Sequence, residues 1–133
     1  MKLLMEDVTL AARTILGEAR GEDYEGKKLV AHVIINRWKN KHRGETTVAG
    51  VVTEPKQFSA WNISDPNRFR LQTARIEDKA LRDCMRAFLE AFDEEDPTKG
   101  AMFYHTVNVS PNWASGHIPV LVHGHHLFYN DVK

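Results

Sequence analysis

Three stretches of helical periodicity precede Asp96-Pro97 and none follows it, which confines the chain to a helical body with something shorter and flatter attached. In the first stretch, Val8, Ala11, Ala12, Ile15, Leu16 and Ala19 recur at helical spacing from about Asp7 onward, with Asp7 placed to act as N-cap. In the second, from about Glu25 to Trp38, Val30, Val33, Ile34 and Trp38 form one apolar stripe. Leu81, Cys84, Met85, Phe88 and Phe92 do the same in the third, and Cys84 is expected there as a core residue. A short helix or turn at residues 47–52 is ended by Glu54-Pro55, because proline disfavours helical backbone in the residue before it. Past Pro97, Ala101 to His105, Ile118 to Val122 and Leu127 to Tyr129 read as short strands separated by Pro111, Gly116 and Gly124. The pattern predicts an α+β domain, mainly helical, with a small C-terminal β element.

The first helix ends on an uncomfortable residue. At about 100° per residue, Glu18 falls beside Ala11 and Ile15 at the edge of the apolar stripe. A half-buried carboxyl costs stability unless it is paired or protonated. Burial against aliphatic neighbours favours the protonated form, and this is how a glutamate becomes a general acid near neutral pH. Gly17 and Gly21 flank it without side chains, so a bulky ligand can approach. The competing reading is an ordinary ion pair with Arg20. Arg37 falls inside the stripe of the second helix, and a guanidinium there needs a carboxylate or carbonyls. Glu22, with the carbonyls of the Gly21 to Gly26 turn, is its expected partner, because a tight bond to Glu18 would favour that residue's charged form.

Taken in order, the strings GEARGE, YEGKKLVAHVIINR, VVTEPKQFSAW, AMFYH and HHLFY resemble the SleB-type cell-wall hydrolase family, which includes spore-cortex-lytic enzymes and phage lysins. The resemblance runs from about Leu10 to Tyr129. It implies a lysozyme-like or lytic-transglycosylase-like catalytic domain acting on the glycan strands of peptidoglycan, with one essential glutamate at Glu18. Glu22 holds the second position of the motif and is the alternative acid, with Arg37 in support. Gln57, Phe58, Ser59 and Trp61 supply the amide, hydroxyl and aromatic groups that hold sugars. The resemblance also places Tyr104 and His105 beside the glycan, bonding either to a sugar or to the catalytic carboxyl. Two products are open: a water attack makes a muramidase, and attack by the muramyl 6-hydroxyl makes a lytic transglycosylase with a 1,6-anhydro end. Ordinary glycosidases use a second carboxylate, about 5–5.5 Å away for retention or about 6.5–9.5 Å for inversion. Glu22, Asp23, Glu25 and Glu54 are the candidates, and the single-glutamate route is favoured.

At 133 residues the chain reads as one catalytic domain, 1–133, without a separate wall-binding domain. Lysine plus arginine and aspartate plus glutamate number 18 each, so no global basic footprint points to nucleic acid. A basic stretch from Lys27 to Arg43 and an acidic one from Asp93 to Asp96 are the local departures. The single cysteine allows no internal disulfide, which fits a reducing compartment. No signal-peptide core and no membrane-length apolar run is evident, so the expectation is a monomer made in the cytoplasm that acts on the wall after release, with a holin's help if it is a phage lysin. No cofactor is expected. Two rivals remain. His105, His117, His123, His125 and His126 invite a zinc amidase or peptidase, although HExxH and cysteine pairs are missing. A wall-binding module without catalysis is the other, and it would have no use for Glu18.

Overall fold

The structure is a computed structural model that describes residues 3–54 and 78–132. Among the described residues, four α-helices come first: α1 at Met5–Glu18, α2 at Tyr24–Lys39, α3 at Val48–Thr53 and α4 at Lys79–Phe92. Three strands follow, β1 at Phe103–Thr106, β2 at Leu121–His123 and β3 at His126–Tyr129. They form one antiparallel sheet in the order β1-β3-β2, with Tyr104 opposite Phe128 and Leu121 also opposite Phe128. The mainly helical α+β architecture expected from periodicity is the observed one. Ile118, expected in a strand, is instead one of the most exposed apolar residues, and β2 begins three residues later. Among the described residues, no helix is long and apolar enough to cross a membrane.

Helices α1 and α2 both pack on α4, and α3 closes the other side of α1. Ile15, Val30, Ile34, Val48, Val52, Leu81 and Phe88 are fully buried between them. Cys84 is buried in the same cluster, as its place on the stripe requires, and that burial pushes its thiol up to about 11. Helix α2 departs from the expected single stripe: every residue from Leu29 to Trp38 is buried, His32, Asn36 and Arg37 included. It is the central helix, with the helical body on one side and a smaller cluster of Leu29, Val33, Ala101 and Phe128 on the other. The sheet is fastened through that second cluster.

Helix starts show how local chemistry sets the frame. Asp23 caps α2, its side chain accepting from the Gly26 N–H at 2.8 Å, and Thr47 does the same for Gly50 at the start of α3. Asp7 is not the N-cap of α1. Leu4 holds that position, and Asp7, three residues into the helix, reaches back to accept the Leu4 N–H at 2.8 Å. Its other oxygen accepts from the Ala49 N–H in the first turn of α3 at 2.9 Å, so one buried carboxylate satisfies donors on two helices. A second helix start competes for this residue, which a local capping rule cannot foresee. Replacing Asp7 by Ala is expected to cost about 1.5–3 kcal/mol in urea unfolding, whereas Glu6→Ala, on the exposed side, stays within about 0.5 kcal/mol.

Candidate active site

Glu18 is the last residue of α1, half-buried, where the helix runs out against the sheet. The Tyr104 hydroxyl, projecting from β1, donates to Glu18 Oε1 at 2.8 Å. Burial, the neighbouring Glu18 charge and this bond together raise the Tyr104 hydroxyl well above its ordinary value, so it stays a donor across the working pH range. The Tyr104 ring is fixed in turn, edge-on to His126 at 5.0 Å and tilted against Phe128 at 5.7 Å. A carboxyl at a helix terminus, with one oxygen tied to a permanent donor on a packed ring, has a defined direction. Gly21 opens onto clear space, with no atom within 4 Å of where a Cβ would lie. Arg20, the rival partner for Glu18, is exposed.

Arg37 does not engage Glu22. Its Nε donates to the Met102 carbonyl at 2.7 Å, and its guanidinium lies 5.6 Å from the centre of the Phe103 ring. About 20 Å of helix rise separates it from the start of α2, beyond the combined reach of the two side chains. Arg37 is only 5 % exposed. Burial pushes it below its ordinary value, and Tyr104 and the Glu18 charge oppose that shift. It therefore joins α2 to the entry of β1, and contributes a positive field at Glu18.

Glu22 is instead claimed by the turn between β2 and β3. Its Oε1 accepts the His125 backbone N–H and its Oε2 the His125 ring Nδ1–H, both at 3.0 Å, with His126 Nδ1 at 3.6 Å. Asp23 accepts from His123 Nε2 at 2.8 Å alongside. Gly124 is required between them: its φ is +57°, and a Cβ there would strike the Glu22 carboxylate. The Glu22 side chain is 4 % exposed. Burial alone would raise its pKa, but the His125 bonds and the nearby His126 outweigh it and hold the carboxyl below its ordinary value. Glu22 is thus an ionised clasp rather than an acid. Sequence reasoning misses His125 and His126 as its partners; the one available signal is a glycine set among three histidines.

Of the remaining expected site residues, His105 points away from Glu18. Neighbours on a strand face opposite ways, so Tyr104 meets the helical body and His105 meets Tyr129, on which it stacks at 5.3 Å. Gln57, Phe58, Ser59 and Trp61 lie outside the described residues. The C-terminal histidines do not converge on one point: His117 pairs with Asp131 at 3.1 Å, His123 with Asp23 at 2.8 Å, His125 and His126 face Glu22, and His105 meets Tyr129. Among the described residues, no group of three or more His, Cys, Asp and Glu side chains is arranged to hold a metal ion.

Residues 21–129 match the sequence profile of the family described as Cell Wall Hydrolase. The chain belongs to that family. Within this cell wall hydrolase family it is 34% identical over 125 residues to the spore cortex-lytic enzyme of Halalkalibacterium halodurans, which covers 93% of this chain and 34% of the relative. It is likewise 34% identical over 125 residues to that of Bacillus subtilis, covering 92% of this chain and 37% of the relative. The chain thus spans about a third of the length of these curated relatives. The crystal structure of the catalytic domain of the Bacillus cereus SleB protein superposes with a TM-score of 0.78 at 29% identity, covering 96% of this chain and 92% of that one. The catalytic domain of the germination-specific lytic transglycosylase SleB from Bacillus anthracis gives 0.76 at 28% identity, covering 95% of each. The resemblance read from the ordered motifs, and the fold it implied, are therefore those of the chain.

The clasp has a pH signature. A carboxylate held below its ordinary value of 4.5 contributes stability that is complete above that pH and is lost as pH falls through the folded value. Glu22→Gln should accordingly lower stability by about 1–3 kcal/mol near neutrality, with the difference from wild type shrinking below about pH 4.5. His126, which burial holds below its ordinary value of 6.5, also removes stability in acid; the Glu22 charge opposes that shift, so the difference between the two proteins widens as His126 gains its proton before it shrinks as Glu22 does. Urea unfolding at several pH values measures the difference; one that is constant down to about pH 3 would show that Glu22 is not the group responsible.

Proposed function

We propose that the chain cleaves the β-1,4 bond between N-acetylmuramic acid and N-acetylglucosamine in peptidoglycan glycan strands, as a lytic transglycosylase with Glu18 as its acid and then its base. The observation that carries this reading is the Tyr104 bond to Glu18, which orients a helix-end carboxyl in a member of the cell wall hydrolase family. Glu18 donates its proton to the leaving glycosidic oxygen as the C1–O bond breaks. The resulting carboxylate then takes the proton of the muramyl 6-hydroxyl, whose oxygen closes on C1 to form the 1,6-anhydro end. Glu18 is left protonated, and no water is consumed. Tyr104 holds the carboxyl in position through both transfers, and the Arg37 charge steadies its ionised form between them.

The engagement of other carboxylates supports the single-glutamate route over a two-carboxylate muramidase. Glu22 is clasped by His125, Asp23 caps α2 and bonds His123, and Glu25 pairs with Lys28 at 3.1 Å. Glu54 shares a hydrogen bond with Glu45, whose pKa it raises. The similarity to the Bacillus anthracis SleB domain, a germination-specific lytic transglycosylase, points the same way.

Digestion of purified peptidoglycan followed by mass spectrometry tests this directly, because anhydro and reducing ends differ by one water. Anhydro ends are expected; reducing ends would make the enzyme a muramidase. Glu18→Gln should fold normally and lose about 10²- to 10⁴-fold in rate, the worth of general acid–base help. A Glu18→Gln enzyme that retains full activity would end the proposal, and activity abolished by EDTA and restored by zinc would transfer it to the histidines.

A further inference from the structure

A cavity of about 450 Å³ opens on the face of the sheet turned away from Tyr104, within the ~300–1,000 Å³ usual for small-molecule sites. His105 and Tyr129 form its sheet wall, and Ser110, Pro111, Asn112 and Ser115 its rim, from the loop that follows β1. The 3₁₀ turn Asn112–Ala114 is pinned by Trp113, whose ring sits edge-on to Tyr129 at 5.3 Å and to His105 at 5.5 Å, and tilted against Phe103 at 5.4 Å. The cavity is therefore preformed by packed rings.

Its hydrogen-bonding polarity can be read from the histidine. His105 Nδ1 lies 2.8 Å from the Thr106 carbonyl, an acceptor only, so Nδ1 carries the proton. In the neutral ring Nε2 is then an acceptor, and the Tyr129 hydroxyl 2.8 Å away donates to it. The phenol oxygen is left as an acceptor at the cavity wall. Ser110, Asn112 and Ser115 are exposed, and among the described residues their side chains bond to no protein group, so the rim offers both donors and acceptors. No lining residue is Asp, Glu, Lys or Arg. A site with a ring wall, hydroxyl and amide groups at its rim and no formal charge suits a neutral ligand with many hydroxyls and an apolar ring face.

We propose that this cavity is a binding subsite for an N-acetylglucosamine residue, separate from the cleft at Glu18. The identity of the sugar rests on the peptidoglycan reading above: of the two sugars in that polymer, N-acetylmuramic acid carries a 3-O-lactyl arm that ends in a carboxylate or in a bulky peptide stem, and an uncharged pocket of about 450 Å³ matches neither, whereas N-acetylglucosamine is compact and neutral. Because Tyr104 and His105 project to opposite faces, a sugar held here is not the one being cut. The subsite tethers a strand, and raises the local concentration of further glycan at the catalytic cleft.

The test is a titration of the ¹⁵N-labelled full chain, carrying Glu18→Gln to prevent turnover, with tri-N-acetylglucosamine. Saturable shifts are expected at the amides of Ser110, Asn112 and Ser115, with Asn112→Ala combined with Ser115→Ala weakening binding at those signals by about tenfold. N-acetylmuramic acid should shift the same amides at least about tenfold more weakly than N-acetylglucosamine. Silence at these amides, unchanged affinity in the double variant, or equal binding of the charged sugar would each overturn the proposal. The spectra report directly that the variants fold. Failure of the catalytic reading is seen elsewhere, as a wild-type chain that releases no fragments from purified peptidoglycan, and the amide shifts decide the subsite in either case.

Discussion

A helix buried on every side must find partners for its polar side chains within the protein, and in this molecule that requirement governs the arrangement around it. Three such residues lie on α2. His32 Nε2 donates to Glu94 at 2.8 Å, Asn36 Nδ2 donates to Asp96 at 2.8 Å and to the Ala101 carbonyl at 3.0 Å, and Arg37 donates to the Met102 carbonyl. All the acceptors belong to one segment, Glu94 to Met102, the crossover from α4 to β1. Asp96 is itself held below its ordinary value: burial opposes ionisation, and the Thr98, Asn36 and Gly100 bonds more than compensate. The crossover is thus laid along α2 by a ladder of polar contacts, and the ladder sets where β1 begins. Tyr104 stands one residue beyond Phe103, so the position of the hydroxyl that orients Glu18 descends from the satisfaction of a buried helix.

The position of the Glu18 carboxyl is accordingly set by distant parts. Helix α1 delivers it, the sheet aims it, and the β2–β3 turn grips the loop that leads away from it. Such a site is stiff because each contributor is anchored in a packed layer: Glu18 by the helix, Tyr104 by His126 and Phe128, and Glu22 by the His125 backbone. Stiffness suits the proposed reaction, in which the carboxyl serves first as acid and then as base and meets two different oxygens without reorganising.

What the sequence makes legible follows periodicity and local chemistry. Helix positions, the short strands, the burial of Cys84, the place of Glu18 on the rim of a stripe and the family itself can all be read from residues close together in the chain. The departures in side-chain pairing share a cause: each concerns a partner chosen across long sequence separation. Asp7 looks like a cap because the donor of Ala49, on another helix, is not visible from its neighbours. Arg37 pairs with Glu22 on paper because its neighbours show only that a buried guanidinium needs a partner, not that Met102, 65 residues on, supplies it, and the helix carries Arg37 away from the α1–α2 turn. His32 and Asn36 give no signal of their own, because a helix wrapped on all sides cannot be told from an amphipathic one until the acidic crossover is seen to cover it. Tyr104 and His105 share a motif, yet strand alternation sends them to opposite faces, and this much was readable from the sequence alone.

The clasp between Glu22 and His125 joins residues 103 apart in sequence, and the Tyr104 bond to Glu18 spans 86. The glutamate is made before the residues that aim it. Until β1 and β3 have emerged and paired, the nascent chain carries the Glu18 carboxyl without the Tyr104 bond, and any fragment ending before the β2–β3 turn lacks the clasp. On the proposed chemistry, which is destructive to the wall, the polypeptide lacks its oriented acid until these segments are made. Long-range closure also slows folding, because loop entropy is spent before these contacts form, so the safeguard and the delay have one origin.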